Sequence, residues 1–309
     1  MAINLILLNY KIEFTKIIFL NHQKKVMDKS KKIIFIASYP KSGNTWLRSI
    51  ISSLVYNPEG KFAFNDLKKV SLFSQFSNFK NLDNHQYHTN GNLNYNWVSD
   101  NWIKAQKKIN TTKKEVVFFK THSVRGVVNK NFFTDESVCL GFVYIIRDPR
   151  DVVVSLSKHM GIDINMALKE MLSNTRRMTS FNKVNELVST WKNNVDSWMQ
   201  FRNVPRLVLK YEDMINDIDT SIFQIAEFLN NIGNLNLKMN DDFLKSIKIS
   251  TSFKKLQLLE KHQKFDEATP HSKFFRKGIS GGWKKNLTNK QTKEIEDKLS
   301  IPMKHLAYL

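Results

Sequence analysis

Cysteine, proline and glycine are all scarce in this sequence, whose 309 residues include one cysteine, 6 prolines and 10 glycines. A single cysteine, Cys139, forms no internal disulfide, which excludes a small disulfide-linked secreted fold and favours a reducing compartment, the cytoplasm. So little glycine and proline excludes a collagen-like or low-complexity chain. No apolar run reaches the roughly 18 residues of a membrane-spanning helix, so the sequence predicts a soluble protein without a transmembrane segment.

Acidic residues are also few, because 28 Asp and Glu face 48 Lys and Arg, for a net charge of +20. Such a surplus favours anionic partners, among them nucleic acid, acidic lipid, glycans and nucleotides. The chain is also rich in Asn, Ile and Phe, which share AT-rich codons with Lys, so genome composition is an alternative source of the excess. No zinc-finger spacing or basic-region heptad is present, and we predict no nucleic-acid partner.

The first 26 residues do not resemble the start of a folded domain. Their apolar run, residues 5–8, is short, charged residues follow it, and no small-residue cleavage site predicts a signal peptide. From Met27 onward the sequence has a polar lead and then a strand pattern. We therefore predict that residues 1–26 are a loose extension or a misassigned start, and that residues 27–309 form one domain.

Apolar runs that alternate with helical patterns predict an α/β fold with a mainly parallel central sheet flanked by helices. Strands are predicted at residues 33–37, 116–119, 142–146 and 206–210. Residues 57–112 have weak periodicity, which predicts loops with short helices. Because ligands bind beyond the carboxyl ends of parallel strands, the polar clusters that follow the predicted strands indicate a site there. The clusters are residues 38–45, 120–122, 147–151 and 211–213.

Residues 39–46, YPKSGNTW, join the first predicted strand to a helix. Such a loop presents free backbone N–H groups and the positive end of the helix dipole to a phosphate. Lys41 adds charge, Gly43 permits close approach and Thr45 adds a hydroxyl. The spacing is not the Walker pattern G-x-x-x-x-G-K-[ST]. Taken alone, a Ser-Gly turn between strand and helix is more often only a turn, so this loop by itself leaves phosphate binding open.

Taken together with later motifs, the sequence resembles the sulfotransferase family that uses 3′-phosphoadenosine 5′-phosphosulfate (PAPS). YPKSGNTW matches the family's loop for the 5′-phosphosulfate, with Asn44 where the family usually has Thr. Arg147 and Ser155 match its pair for the 3′-phosphate. The segment 120–122, KTH, matches the one that supplies the catalytic base.

Further segments extend the resemblance from about residue 33 to residue 288. Residues 276–278, RKG, match the C-terminal phosphate loop, in which Gly282 replaces the family's usual Asp. The sequence assigns no role to the carboxylate that is lost. Residues 211–213 and 251–253 match shorter segments on the adenine side.

The resemblance implies a three-layer, P-loop-like fold and transfer of a sulfuryl group from PAPS to a hydroxyl or amine, without a metal. It implies donor contacts from residues at fourteen positions. These are Lys41, Ser42, Gly43, Asn44, Thr45, Trp46, Arg147, Ser155, Tyr211, Thr251, Phe253, Arg276, Lys277 and Gly278.

Three side chains are the predicted catalytic residues. Lys41 would stabilise charge on the leaving phosphate, and Lys120 would stabilise the equatorial oxygens of the moving group. His122 would take the acceptor proton, since an imidazole with an ordinary pKa near 6.5 is a suitable base at physiological pH. Without the motif, a histidine at a strand end is more often a hydrogen-bonded surface residue.

Two other functions compete with this prediction. A kinase-like P-loop enzyme acting on a small substrate is disfavoured because the Walker lysine and a magnesium carboxylate are missing. A nucleotide-binding module without catalysis is disfavoured because both Lys41 and His122 are present.

The acceptor is not specified by the sequence, and we consider a small molecule, a lipid or a glycan. Residues 57–112 and 160–185 are expected to form its pocket. Arg176 and Arg177 are candidates for an anionic glycan, and a set of aromatic residues either lines an aromatic pocket or belongs to the core. The set is Phe62, Phe64, Phe73, Phe76, Phe79, Tyr87, Trp97 and Trp102.

The oligomeric state, monomer or dimer, is also left open. Members of the family often dimerise through the C-terminal motif K-x-x-x-T-V-x-x-x-E. Lys284 and Thr288 match this motif, but Asn289 and Lys293 stand at its Val and Glu positions. Dimerisation through that motif is therefore not expected.

Overall fold

The computed structural model describes residues 30–80, 82, 94–179, 182–263, 265 and 267–309. The proposed N-terminal extension, residues 1–26, lies outside these residues, as does Tyr87 of the aromatic set. None of the helices in the described part of the chain is long and apolar enough to cross a bilayer.

Strands and helices alternate along the chain. The strands are β1 (Ile33–Ser38), β2 (Val70–Leu72), β3 (Val117–Thr121), β4 (Val127–Val128), β5 (Asn131–Phe132), β6 (Cys139–Ile146), β7 (Arg177–Met178), β8 (Glu186–Leu187) and β9 (Arg206–Lys210). The helices are α1 (Asn44–Tyr56), α2 (Tyr95–Thr112), α3 (Pro149–Met160), α4 (Ile164–Met171), α5 (Trp191–Met199), α6 (Tyr211–Asn216), α7 (Ile218–Gly233), α8 (Asp241–Ser250), α9 (Phe253–His262), α10 (Asn289–Lys298) and α11 (Ser300–His305). Short 3₁₀ helices occupy Phe64–Lys69, Phe76–Asn78 and Gly282–Lys285.

The central sheet has five strands in the order β2-β3-β1-β6-β9, and every neighbouring pair is parallel. This arrangement confirms the predicted α/β fold with a parallel sheet between helical layers. All carboxyl ends of the strands therefore meet at one edge, where the polar clusters follow.

The middle strand β1 shows why its sequence is a continuous apolar run. Ile33 and Phe35 belong to one buried cluster, which is completed by α2, α3, α5, α10 and α11. Ile34 and Ile36 belong to a second cluster, completed by α1, α7 and α8. Successive side chains point to opposite faces of a strand, so a sheet covered on both faces requires apolar residues throughout.

The prediction of loops with short helices for residues 57–112 was wrong at its end, because α2 is 18 residues long. Its buried face mixes Trp97, Trp102 and Ile109 with polar residues, which weakens the hydrophobic periodicity. Gln106 is fully buried because its side chain donates to the Phe133 carbonyl at 2.7 Å and accepts from the Thr134 hydroxyl at 2.6 Å. The sequence pattern also missed β2, an edge strand of 3 residues.

The C-terminal residues form a clasp over the ligand edge of the sheet, which we call the C-terminal clasp. Arg150 Nη2 donates to the Tyr308 carbonyl at 2.9 Å, and the Tyr308 hydroxyl donates to Glu212 Oε2 at 2.8 Å. Glu212 Oε1 in turn accepts from the backbone N–H of Asp148 at 3.0 Å. The clasp thus links the last residues to the segment between β6 and α3.

Candidate active site

A cavity of about 610 Å³ lies at the carboxyl edge of the sheet. It brings together residues from every predicted motif. The predicted residues that line it are Lys41, Gly43, Asn44, Thr45, Trp46, Lys120, His122, Arg147, Ser155, Tyr211, Phe253, Arg276, Lys277 and Gly278. Ser42 and Thr251, also predicted, are fully buried and do not line the cavity.

Thr251 lies behind the cavity and holds one of its walls. Its carbonyl accepts from the indole Nε1 of Trp46 at 3.0 Å, and its hydroxyl donates to the Ile247 carbonyl at 2.8 Å. Trp46 meets the ring of Tyr211 edge-on, with centroids 5.7 Å apart. Thr251 is therefore a positioning residue for the aromatic wall.

The loop between β1 and α1 is built for an anion. Gly43 precedes α1 with φ 103°, and no side chain caps the helix, so its first N–H groups face the cavity region without an internal partner. A Cβ atom at Gly43 would lie 2.6 Å from the Tyr211 ring, so only glycine fits. Asn44 Nδ2 donates to the Ile36 carbonyl and to the Ser38 hydroxyl, both at 3.1 Å, which fixes the loop to the end of β1.

Lys41 is a cation held in an unfavourable environment. Burial and the neighbouring charge of Lys120 lower its pKa to about 7, because both disfavour the protonated form. The ammonium lies 4.2 Å from the centre of the Phe274 ring. An anionic ligand at this loop would restore the charge of Lys41.

Glu267 lies in the same cluster, although nothing in the sequence pattern indicated it. Its Oε2 accepts from Lys120 Nζ at 2.9 Å and from the Thr45 hydroxyl at 3.0 Å, and its Oε1 pairs with Arg48. Burial raises the pKa of Glu267, but Lys120 and Arg48 outweigh it and hold the pKa well below its usual range. A carboxylate thus contacts two side chains predicted to bind the donor.

His122 has its ring fixed by backbone. Its Nδ1 lies 2.9 Å from the Ser38 carbonyl oxygen; because a carbonyl only accepts, Nδ1 carries the proton and Nε2 keeps its lone pair. The backbone N–H of His122 donates to Glu186 Oε1 at 3.0 Å. Burial and the charge of Lys120 lower the pKa of His122 to about 3, so the ring is a neutral acceptor of protons.

Arg147 connects two loops of the cavity. Its Nη1 donates to the Lys41 carbonyl at 3.2 Å, and its Nη2 donates to the Ile279 carbonyl at 3.0 Å. The guanidinium lies 4.3 Å from the centre of the Tyr211 ring, and Nε, although buried, has no hydrogen-bond partner. Ser155, one turn into α3, lines the same wall.

The loop that follows Arg276 owes its shape to a carboxylate from α3. Asp151 accepts from the backbone N–H of Gly281 at 2.7 Å and from that of Trp283 at 2.9 Å. A Cβ at Gly282 would lie 3.5 Å from Asp151 Oδ1, so an Asp there would place a second negative charge beside the first. The loop is therefore fixed by Asp151 with glycine at position 282.

His159 is a second residue that sequence reasoning left as a bland surface histidine. It lines the cavity together with Asp151 and Ser155, and their i, i+4 spacing on α3 was a usable signal. Burial and the charges of Lys41 and Lys120 lower the pKa of His159 to about 4.

The far end of the cavity is polar rather than aromatic. The described members of the aromatic set all pack in the two buried clusters, so the core interpretation holds for them. Residues that line this end come mainly from the predicted segment 160–185. They include Ser74, Met160, Glu170, Arg176, Arg177, Met178, Thr179, Lys183, Val184 and Glu186.

A family model described as "Sulfotransferase domain" matches residues 31–306. The chain belongs to the sulfotransferase family. Sulfotransferase 1B1 of Canis lupus familiaris is 29% identical over 274 residues, covering 85% of this chain and 80% of the relative. Sulfotransferase 2A6 of Mus musculus is 26% identical over 269 residues, covering 85% and 81%. Cytosolic sulfotransferase 13 of Arabidopsis thaliana is 27% identical over 270 residues, covering 85% and 74%.

Solved structures of similar fold add to this sulfotransferase assignment. Retinol dehydratase in complex with androsterone and PAP has a TM-score of 0.57 at 19% identity, covering 89% of this chain and 81% of that chain. Mouse sulfotransferase SULT7A1 complexed with PAP has a TM-score of 0.54 at 20% identity, covering 88% and 84%. The prediction of a sulfotransferase enzyme with this fold is confirmed, and it replaces the kinase-like alternative.

Proposed function

We propose that this sulfotransferase binds PAPS along the cavity and transfers its sulfuryl group to a hydroxyl or amine of an acceptor held beside His122. The 5′ end of the donor would bind at the loop 41–46, and its 3′-phosphate at Arg147 and Ser155. The observation that carries the proposal is the unprotonated Nε2 of His122 in a cavity whose other wall is cationic.

The residues present fit a donor with several negative charges. Lys41 has a depressed pKa, Arg147 has an unpartnered buried Nε, and the first turn of α1 has no side-chain cap. Each of these features is relieved by an anion. Trp46, Tyr211 and Phe253 supply an aromatic wall near the same loops, suited to a purine ring.

The reaction is a displacement at sulfur. The acceptor oxygen bonds to sulfur while the bond from sulfur to the bridging phosphate oxygen breaks, and the acceptor proton passes to His122 Nε2. The products are a sulfate ester and adenosine 3′,5′-bisphosphate (PAP). By analogy with phosphoryl transfer, catalysis here consists of positioning and charge stabilisation.

The chain's own groups divide these tasks. His122 holds the acceptor proton, and its ring is oriented by the Ser38 carbonyl. Lys41 and Lys120 place positive charge where the leaving phosphate and the transferred oxygens gain negative charge. Thr251 and Asp151 keep the aromatic wall and the C-terminal phosphate loop in place.

The acceptor class in this proposal is a small hydroxyl compound. One relative is named 3-beta-hydroxysteroid sulfotransferase, and one structural neighbour holds androsterone. Cys139 is buried and free, and burial raises the pKa of its thiol to about 12. An inert thiol of this kind suits a reducing compartment, so the proposal places the enzyme in the cytoplasm.

The test follows labelled sulfate from PAPS into a panel of phenols, sterols and alcohols, with PAP as the second product. Turnover by wild type, and its loss in His122→Ala, would support the proposal. Binding of PAP with no sulfated product from any acceptor would favour the catalytically inactive module. Tighter binding of ATP than of PAP would contradict the donor assignment.

A further inference from the structure

Arg176 is a buried cation at the acceptor end of the cavity. It is 8% exposed, and it lines the cavity together with His122. The link between the two residues is short: Arg176 Nη1 donates to the Tyr39 hydroxyl at 2.9 Å, and Tyr39 follows Ser38, whose carbonyl holds His122. The guanidinium is therefore fixed next to the region where the acceptor must bind.

The guanidinium has fewer partners than it has donors. Its Nε, which is buried, makes no hydrogen bond, and Nη2 only approaches the Met160 sulfur at 3.9 Å. Its nearest anion is Glu170, whose Oε2 lies 3.8 Å from Nε and whose side chain is 46% exposed. A buried charge with one distant partner is unfavourable unless a ligand completes its contacts.

The second carboxylate in this region is already occupied. Glu186 Oε1 accepts from the Thr121 hydroxyl and from the backbone N–H of His122, both at 3.0 Å. The remaining charges at this end are cationic, namely Arg177 and Lys183. The acceptor end thus offers an under-partnered guanidinium and a positive surround, whereas the aromatic side chains of the neighbouring segment are packed in the core.

We infer that Arg176 forms an anion subsite, so that the preferred acceptors carry a carboxylate or sulfate in addition to the hydroxyl that is sulfated. This inference rests on the proposed function, because it names the substrate class of the same site. A planar guanidinium matches the two oxygens of such a group through paired hydrogen bonds. The fixed position of Arg176 relative to His122 then sets the separation between the anion and the reacting hydroxyl.

The test compares 4-hydroxybenzoate, 4-hydroxyphenylacetate and 3-(4-hydroxyphenyl)propanoate with their methyl esters. Each pair has the same phenol and differs in charge. For the acid of best length, wild-type kcat/KM should exceed that of its ester by roughly tenfold to a hundredfold, the range for hydrogen bonds to a charged group. Arg176→Gln should remove this preference by lowering the acid's kcat/KM and leaving the ester's nearly as in wild type.

Two variants sharpen the comparison. Glu170→Gln removes the carboxylate that competes for Arg176, so the preference for the acid should increase. Arg177→Gln removes an equal charge one residue away, but Arg177 is exposed and lies over the Tyr95 ring at 4.0 Å. Its effect on the preference should be much smaller, since an exposed charge is screened by water and salt.

Equilibrium binding to the PAP-bound enzyme gives a second measurement that needs no turnover. Acids that bind no better than their esters in wild type, or an equal loss for acid and ester in Arg176→Gln, would overturn the subsite. Failure of PAP to bind at all would instead contradict the donor site. The two failures are thereby distinguished.

Discussion

Lys120 Nζ lies 2.9 Å from Glu267 Oε2, so a residue predicted to hold the transferred group is paired with a carboxylate of the chain itself. The same Oε2 accepts from the Thr45 hydroxyl in the phosphate loop. Glu267 therefore occupies, with like charge, the position proposed for the 5′ end of the donor. Donor binding requires this carboxylate to move.

Glu267→Gln should tighten the binding of PAP. The variant removes a negative charge that competes for Lys120 and Arg48, and a gain of roughly tenfold in affinity corresponds to about 1.4 kcal/mol. Titration calorimetry with PAP measures it. Glu294→Gln, which changes the net charge equally at a surface pair with Lys298, is the control. Equal affinities in the two variants would show that Glu267 does not compete with the donor.

His122→Ala should lower kcat by roughly 10²–10⁴-fold, the usual contribution of a general base. PAP affinity should stay close to wild type, because Nε2 is assigned to the acceptor proton. Lys41→Ala should differ by lowering both kcat and PAP affinity. With an acidic phenol such as 4-nitrophenol, the His122→Ala defect should shrink, since the nucleophile is already partly ionised. A His122→Ala enzyme that turns over an aliphatic alcohol at the normal rate would leave the base unidentified.

Binding of PAP should weaken as pH rises above about 7. Burial and Lys120 lower the pKa of Lys41 to about 7 in the free enzyme, and an anion favours its protonated form, so binding raises that pKa. Affinity should be level below about pH 7 and then fall by up to roughly tenfold per pH unit until the pKa of the bound state is reached. Lys41→Arg, which stays charged, should flatten this profile, and an unchanged profile in that variant would exclude Lys41 as its source.

Arg147→Ala should weaken the binding of PAP more than that of adenosine 5′-phosphate, which lacks the 3′-phosphate. The difference should exceed about 1.5 kcal/mol, the lower range for a hydrogen bond to a charged group. Both ligands should lose some affinity, because Arg147 also bonds to the Lys41 and Ile279 carbonyls. Ser155→Ala, which removes one hydroxyl and leaves those bonds intact, should show a smaller but equally selective loss. Equal losses for the two nucleotides would reject the 3′-phosphate assignment.

The expected pH dependence of catalysis differs between sequence and structure. The ordinary pKa of histidine predicts a rate that rises through about pH 6.5. In the structure, burial and Lys120 lower the pKa of His122 to about 3. Protonation of His122 should therefore leave kcat/KM level from about pH 5 to about pH 8, once the Lys41 effect is removed by saturating donor.

The donor side of the cavity was predictable because its groups follow strand ends directly in sequence. Lys41, Lys120 and Arg147 each follow or end a buried strand, and the parallel sheet brings those ends to one edge. Local sequence thus determines both the group and its location.

Other features depend on contacts between distant segments. Glu267 is 147 residues from Lys120, and no periodicity or motif marks it. Helix α2 was missed because Gln106 and other polar residues lie on its buried face. Whether an aromatic residue such as Phe73 lines a pocket or packs in the core is decided by the neighbouring elements, which in this chain bury it.

The C-terminal clasp also bears on how the protein is made on the ribosome. All sheet strands are complete at Lys210, but Ile295, Met303 and Leu306, which are almost fully buried in one core, are synthesised much later. A nascent chain therefore carries a finished sheet with one apolar face partly uncovered. Exposed apolar surface on incomplete chains promotes aggregation and chaperone binding. The last turns of helix, rather than the sheet, determine how long the growing chain needs that protection.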